Sequence, residues 1–188
     1  MKTYPEIVDD LANRWNGAAI PFEAASTAMH EAGHAVTGLA YGFPIRTVSI
    51  EEDEESLGWS GATQWDFDID PCVCTDGRLR QYATMVVAGR VADGKAPLIS
   101  EAIGNGSITS ESATGHDALQ AYRYTLKLLP VVPGPFDMNR IAQQVRLAEN
   151  RARKLLKAHR ASLVKLAETL LTSKSHRLST REVSRLFS

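Results

Sequence analysis

Apolar residues recur at helical spacing along most of the chain, and this pattern predicts several helices. Beyond the corner VVPGP, one apolar stripe faces a core, comprising Ile141, Val145, Ala148, Ala152, Leu155 and Leu156. Further helices are predicted over 5–16, about 22–41, 78–93, from about 115 to just before Pro130, and about 160–173. Ser179 with Glu182 three residues later predicts a capping box that opens a last helix.

Two segments change from helical spacing to alternation with β-branched or aromatic residues. Residues 46–52 and 59–65 are therefore predicted to be strands of a small sheet. The acidic run at 51–56 is expected to form an exposed loop between them. Residues 66–77 and 94–115 are expected to be loops, and the second is long enough to suggest a functional or mobile segment. The fold class expected is mainly α with a small β-sheet (α+β).

Helix ends in this pattern have recognisable chemistry. Gly42 followed by Pro44 predicts the end of the second helix, because glycine accepts the left-handed cap and proline cannot continue a helix. Thr75 or Asp76 is expected to cap the helix that follows the first loop.

Composition narrows the class of protein. The chain has 188 residues, 44% of them apolar and 23% charged, which is ordinary for one globular domain. The net charge of −1 gives no bulk attraction to nucleic acid or to an anionic membrane. The basic run at 151–160 has helical spacing and is interpreted as a solvated helix face.

Cysteine usage and the N-terminus bear on the compartment. Cys72 and Cys74 are one residue apart, so a disulfide between them would be strained, and C-x-C alone is a weak metal half-site. The first residues lack the apolar core of a signal peptide, and no apolar run is long enough to span a membrane. We expect a cytoplasmic protein.

The segment HEAGH carries the most specific chemistry in the sequence. His30 and His34 are four residues apart, so a helix places both on one face, where their nitrogens can bind one zinc ion. Glu31 lies beside that face and can act as a general base toward a zinc-activated water. The alternative is two ordinary helix histidines. Gly33 argues against it, because a mid-helix glycine costs about 1 kcal/mol and calls for a close approach.

A catalytic zinc site needs a third protein ligand and an open position. Spacing alone does not choose among the downstream candidates, which are Asp66, Asp68, Asp70, Asp76, Asp93, His116, Asp117, His159 and His176.

Several motifs in order resemble the peptidase domain of FtsH-type ATP-dependent zinc metalloproteases. HEAGHAVTGLAYGFPIRTVSI is similar to that family's zinc helix and following strand, and LGWSGATQW to its next strand. LRQYATMVVAGRVAD, ATGHDALQAYRYTLKLL and the closing helices resemble later elements, so the likeness covers roughly 24–187. It implies a peptidase domain at 24–188 after an N-terminal helical extension at 1–23.

The resemblance also implies roles for individual residues. His30, His34 and Asp117 would bind Zn²⁺, and Glu31 would be the base of a metalloendopeptidase. Asp93 would orient a ligand histidine from behind. An extended polypeptide substrate could pair with the strand at Gly61, Ala62, Thr63 and Gln64. The alternative is that Asp117 serves only to cap the N-terminus of a helix.

The sequence departs from the family in ways that limit the expected activity. His116 stands where the family usually has asparagine, and the loop before Asp117 is longer. We find no P-loop motif and expect no membrane anchor, so substrates would be flexible or unfolded chains, or be delivered by a separate ATPase or adaptor. Rings of six in the family make a homo-oligomer plausible. Two other classes stay open: a zinc-binding regulatory or interaction module without turnover, and a metal-free helical interaction domain.

Overall fold

The computed structural model describes residues 2–14, 21–53, 58–67, 73–105, 115–129 and 138–187. Within these ranges the chain is mainly helical with one small antiparallel sheet, which confirms the predicted fold class. The helices are α1 (Tyr4–Arg14), α2 (Phe22–Ala40), α3 (Asp76–Asp93), α4 (Ile99–Gly104), α5 (Gly115–Leu128), α6 (Met138–Ala158), α7 (Arg160–Thr172) and α8 (Thr180–Phe187). The strands are β1 (Ile45–Asp53), β2 (Gly58–Trp65) and β3 (Arg177–Ser179).

The sheet has the order β2-β1-β3, and both pairings are antiparallel. In the central strand, Val48 pairs with Thr63 on one side and with Leu178 on the other. Among the described residues, β2 pairs with β1 alone, so its outer edge is open.

The helix α2 lies at the centre of the fold, with α1, α3, α7 and the β1–β2 hairpin packed around it. At Gly33, an added Cβ would lie 2.7 Å from the carbonyl oxygen of Ala88 and 2.6 Å from Cβ of Ala92. The mid-helix glycine therefore permits the close approach of α2 and α3. The N-terminal helix α1 joins the same core, where its residues Ile7, Val8 and Leu11 are buried.

β2 lies against α2 with its alternate residues facing the helix. The hydroxyl of Thr27 donates to the carbonyl oxygen of Trp59 at 3.3 Å. An added Cβ at Gly38 would lie 2.1 Å from the Trp65 ring, so the ring packs directly on the helix backbone. These contacts hold the strand against the face of α2 that carries the HEAGH segment.

The predicted helix ends agree with the structure. α2 ends before Gly42, whose φ of +74° is in the left-handed region that glycine accepts readily. Thr75 caps α3, because its side chain accepts a hydrogen bond from the amide of Arg78. Ser179 donates from its amide to the Glu182 carboxylate at 2.8 Å at the start of α8.

Two expectations were wrong, and one element was not predicted. Asp53 belongs to β1 rather than to the acidic loop, because the backbone pairing with β2 extends to this residue, and residues 54–56 of that predicted loop lie outside the described residues. The segment 94–115 contains α4, whose first turn is held by the buried Glu149 carboxylate, which accepts from the amide of Ser100 at 2.8 Å. The strand β3, which forms by pairing with β1, was not predicted from the sequence.

The helix α6 carries the predicted apolar stripe on its buried face. Ile141, Val145, Ala148, Ala152 and Leu156 are buried, and Leu155 is half-buried. Most side chains of the basic run at 151–160 are at least partly exposed, as expected.

No helix in the described part of the chain combines the length and apolar character needed to cross a bilayer.

Candidate metal centre and its groove

Three side chains from two helices converge at one point. His30 and His34 lie one turn apart on α2, and Asp117 lies in the first turn of α5. The Oδ2 atom of Asp117 is 3.0 Å from Nε2 of His30 and 3.2 Å from Nε2 of His34. The structure thus brings together the three residues that the family resemblance selects as ligands.

The opposite edge of each imidazole ring is held by an oxygen that only accepts hydrogen bonds. Nδ1 of His30 is 2.9 Å from a carboxylate oxygen of Asp93, and Nδ1 of His34 is 2.8 Å from the carbonyl oxygen of Met85. Each Nδ1 therefore carries the proton, and in the neutral rings both Nε2 atoms present lone pairs toward Asp117. Asp93 is buried and also accepts from the amide of Lys95 at 2.9 Å.

The donor set fits a zinc ion. Two imidazole nitrogens and a carboxylate oxygen are preferred zinc ligands, and zinc–ligand bonds of about 2.0–2.2 Å in tetrahedral geometry separate the donor atoms by about 3.3 Å. The observed separations of 3.0 and 3.2 Å from Asp117 are close to that value. Ligand histidines usually donate their other ring N–H to a carboxylate or carbonyl, as both do here.

Gly89 on α3 makes room for the two imidazoles. An added Cβ at this position would lie 2.5 Å from Nε2 of both His30 and His34. α3 can therefore pass directly behind the donor atoms only because this residue has no side chain.

The pKa values of the three converging side chains are shifted by their closeness to one another. Burial lowers the pKa of His30, but hydrogen bonds to the Asp117 and Asp93 carboxylates outweigh it and raise that pKa to about 10. Burial likewise opposes the charged form of His34, yet the Asp117 charge raises its pKa. Burial would raise the pKa of Asp117, but the charge of His34 and hydrogen bonds from both histidines hold it well below its ordinary range. In the metal-free protein, the raised pKa values of both histidines favour positive charge beside Asp117, where a metal cation would otherwise lie.

Glu31 lies beside the triad and is buried. Its Oε2 atom accepts a hydrogen bond from the hydroxyl of Thr63 on β2 at 2.7 Å. Gly61 makes the approach of the strand possible, since an added Cβ there would lie 2.5 Å from Cγ of Glu31.

The triad opens into a groove of about 410 Å³ between β2 and α5. Gly61, Ala62 and Thr63 form one wall. His116, Gln120 and Tyr124, which lie one helical turn apart on α5, form the other. Trp65, Met85 and Val86 add apolar surface at the groove. Gln64 is not among the residues that line the groove, and its side chain accepts a hydrogen bond from Thr47 on β1.

The other candidate ligands lie apart from the triad or outside the described residues. Asp66 forms an exposed ion pair with Arg46, and Asp76 is exposed in the first turn of α3. His159 stacks on Phe187, and His176 contacts the ring of Trp59. Asp68, Asp70 and Cys72 lie outside the described residues, and Cys74 is half-buried.

Two parts of the centre were not assigned from the sequence. Gly89 is a mid-helix glycine like Gly33, so its cost to α3 could have indicated a close approach. The carbonyl oxygen of Met85 has no sequence signal, because every residue carries one.

Comparison of the chain with protein-family models and with curated proteins gives no match. The likeness to FtsH-type peptidases therefore depends on the motifs themselves.

Proposed function

We propose that this protein is a zinc metalloendopeptidase of the FtsH-like HExxH type, acting on flexible or unfolded polypeptides. The observation that carries the proposal is the convergence of Nε2 of His30, Nε2 of His34 and Oδ2 of Asp117 beside the buried carboxylate of Glu31. The family resemblance supports the same assignment.

Different residues of the protein would bind the metal, transfer the proton and orient the ligands during hydrolysis. His30, His34 and Asp117 would hold zinc, which when bound acts as a Lewis acid and lowers the pKa of water toward about 7. Glu31 would accept the proton of the attacking water and return it to the leaving amine. Asp93 and the Met85 carbonyl keep the two imidazoles in the tautomer that binds a metal.

The groove indicates how a polypeptide would lie at this site. The outer edge of β2 offers amides and carbonyls at the spacing of an extended chain. A peptide paired with this edge would run along Gly61, Ala62 and Thr63, between the triad and the α5 wall. A folded substrate cannot supply such an extended segment, so we propose that substrates are flexible or reach the groove through a partner.

The test is digestion of a disordered polypeptide by the zinc-loaded protein and by its Glu31→Gln variant, with zinc measured in both. Glutamine has nearly the same shape as glutamate but cannot accept the proton. We expect the wild type to cleave, and the variant to hold zinc and cleave at least about 100-fold more slowly. If both hold zinc and neither cleaves, the domain is a zinc-binding module or depends on a partner. If neither holds zinc, the proposal fails.

A further inference from the structure

The position of the Glu31 carboxylate depends on β2 as well as on its own helix. Glu31 follows His30 on α2, so the helix turns it away from the ligand face and toward the strand. A glutamate side chain has three rotatable bonds, and holding it in one conformation costs conformational entropy. A partner that holds the carboxylate in place therefore affects how well the base is aimed.

Thr63 is the partner that the structure provides. Its hydroxyl is 2.7 Å from Oε2 of Glu31 and 3.2 Å from the main-chain oxygen of the same residue. A hydroxyl has one proton to donate, and the shorter distance goes to the carboxylate. A hydrogen bond to an ionised group is stronger than one between neutral groups.

The strand itself is held firmly enough to transmit this constraint. Thr63 pairs with Val48 of the central strand, which fixes its place along the sheet. Trp59 and Trp65, on either side of it, contact α2 at Thr27 and Gly38. Gly61 lets the backbone lie against Glu31, where any side chain would collide with the glutamate Cγ.

We propose that Thr63 is a positioning residue for the general base, so that the strand that would receive the substrate also aims Glu31. This inference deepens the proposed peptidase function and rests on it. The hydroxyl of Thr63 holds Oε2 of Glu31, and the other carboxylate oxygen would face the attacking water. Movement of β2 when a substrate pairs with its edge would be transmitted directly to the base.

Two substitutions separate the hydroxyl from the shape of the side chain. Thr63→Val keeps the β-branched shape and removes the donor, whereas Thr63→Ser keeps the donor. With the zinc-loaded full chain, we expect Thr63→Val to lower kcat about 10- to 100-fold, with KM and zinc affinity changed by less than about twofold. Thr63→Ser should restore most of the lost kcat. Equal kcat for Thr63→Val and wild type, or an equal loss in both variants, would overturn the inference.

A second measurement does not depend on turnover. The urea midpoints of wild type, Thr63→Val, Glu31→Ala and the double variant, all zinc-loaded, form a thermodynamic cycle. If Thr63 holds Glu31, replacement by valine should lower the midpoint at least about twice as much in the presence of Glu31 as in the Glu31→Ala background. Additive effects would overturn the inference even if the protein cleaves peptides. A wild type that does not cleave but shows this coupling would refute the peptidase proposal and leave Thr63 as the residue that positions Glu31.

Discussion

Asp93 near the end of α3 accepts a hydrogen bond from Nδ1 of His30 on α2 at 2.9 Å. The pair crosses the packing of α2 on α3, close to the contact of Gly33 with Ala88 and Ala92. This geometry connects the packing of two core helices to the direction in which a candidate zinc ligand points. Asp93 would therefore orient a ligand of the candidate metal centre, although Asp93 does not itself face the position where a metal would bind.

Replacing Asp93 by asparagine should weaken zinc binding about 10- to 100-fold while leaving the fold intact. Asparagine can still accept from the Lys95 amide with its oxygen, but its NH₂ then faces His30. The imidazole would shift its proton to Nε2, the atom that should bind zinc. Competitive zinc titration measures the effect, and Asp76→Asn, at an exposed position, is the control. Equal affinities of the two variants would contradict the role assigned to Asp93.

Replacing Gly89 by alanine should displace both imidazoles. The new Cβ would lie 2.5 Å from each Nε2, closer than carbon and nitrogen can approach. We expect zinc affinity to fall more than about tenfold, although alanine favours the helix by about 1 kcal/mol. Gly77→Ala in the first turn of the same helix is the matched control, because its Cβ would have no neighbour closer than 3.9 Å. Unchanged zinc affinity in Gly89→Ala would show that the imidazoles do not need this space.

Gly61→Ala tests the other side of the centre. Its Cβ would lie 2.5 Å from Cγ of Glu31, so the carboxylate must move. We expect the rate of peptide cleavage to fall at least about tenfold with zinc content unchanged, because Glu31 is not a ligand. Steady-state cleavage and metal analysis on the same samples separate the two effects. Loss of zinc together with activity would mean that β2 supports the metal position rather than the base.

Zinc binding should release protons near neutral pH. In the metal-free protein the pKa of His30 is raised from 6.5 to about 10, so this ring is protonated at pH 7 and zinc must displace its proton. The pKa of His34 is also raised, so we expect about one to two protons released per zinc. Calorimetry in two buffers of different ionisation enthalpy counts them. Apparent zinc affinity should rise with pH between about 6 and 8, and a flat profile would contradict this.

The same shifts set the stability of the metal-free protein. Because the pKa of His30 is raised by folding, its charge stabilises the fold fully below pH 6.5 and less as pH rises toward about 10. The lowered pKa of Asp117 affects stability at acidic pH. The ionised carboxylate stabilises the fold above pH 3.8, and this stabilisation is lost as the pH falls below that value. The free energy of unfolding of metal-free protein should therefore decrease from about pH 7 to pH 10. The Gly89→Ala variant should show a weaker decrease of the free energy of unfolding over this pH range.

The sequence predicted the elements that have strong local signals. α2, α6 and α7 have long apolar periodicity, and Gly42 and Thr75 mark helix ends by their backbone chemistry. β3 and α4 were missed because their stability comes from partners far along the chain. β3 is three residues paired with β1, and α4 begins where Ser100 meets Glu149.

In the candidate site too, local spacing could be predicted from the sequence, whereas contacts between distant residues could not. The i, i+4 spacing of His30 and His34 is a local signal, and it predicts that both rings share a face. Asp117 was selected only by the family resemblance, and the structure places it 3.0 Å from His30. The contacts of Thr63 with Glu31 and of Gly89 with both rings depend on how a strand and a helix pack on α2. No spacing within the sequence encodes such contacts.

The central claim is that His30, His34 and Asp117 form one zinc site, and a zinc titration of three proteins tests it most directly. Wild type, Asp117→Ala and His116→Ala would be titrated against a chromophoric chelator. His116 is exposed and adjacent in sequence but outside the converging triad, so its variant is the control. We predict one tightly bound zinc in wild type and His116→Ala, and affinity at least about 100-fold weaker in Asp117→Ala. No zinc in wild type, or equal binding by Asp117→Ala, would contradict the account.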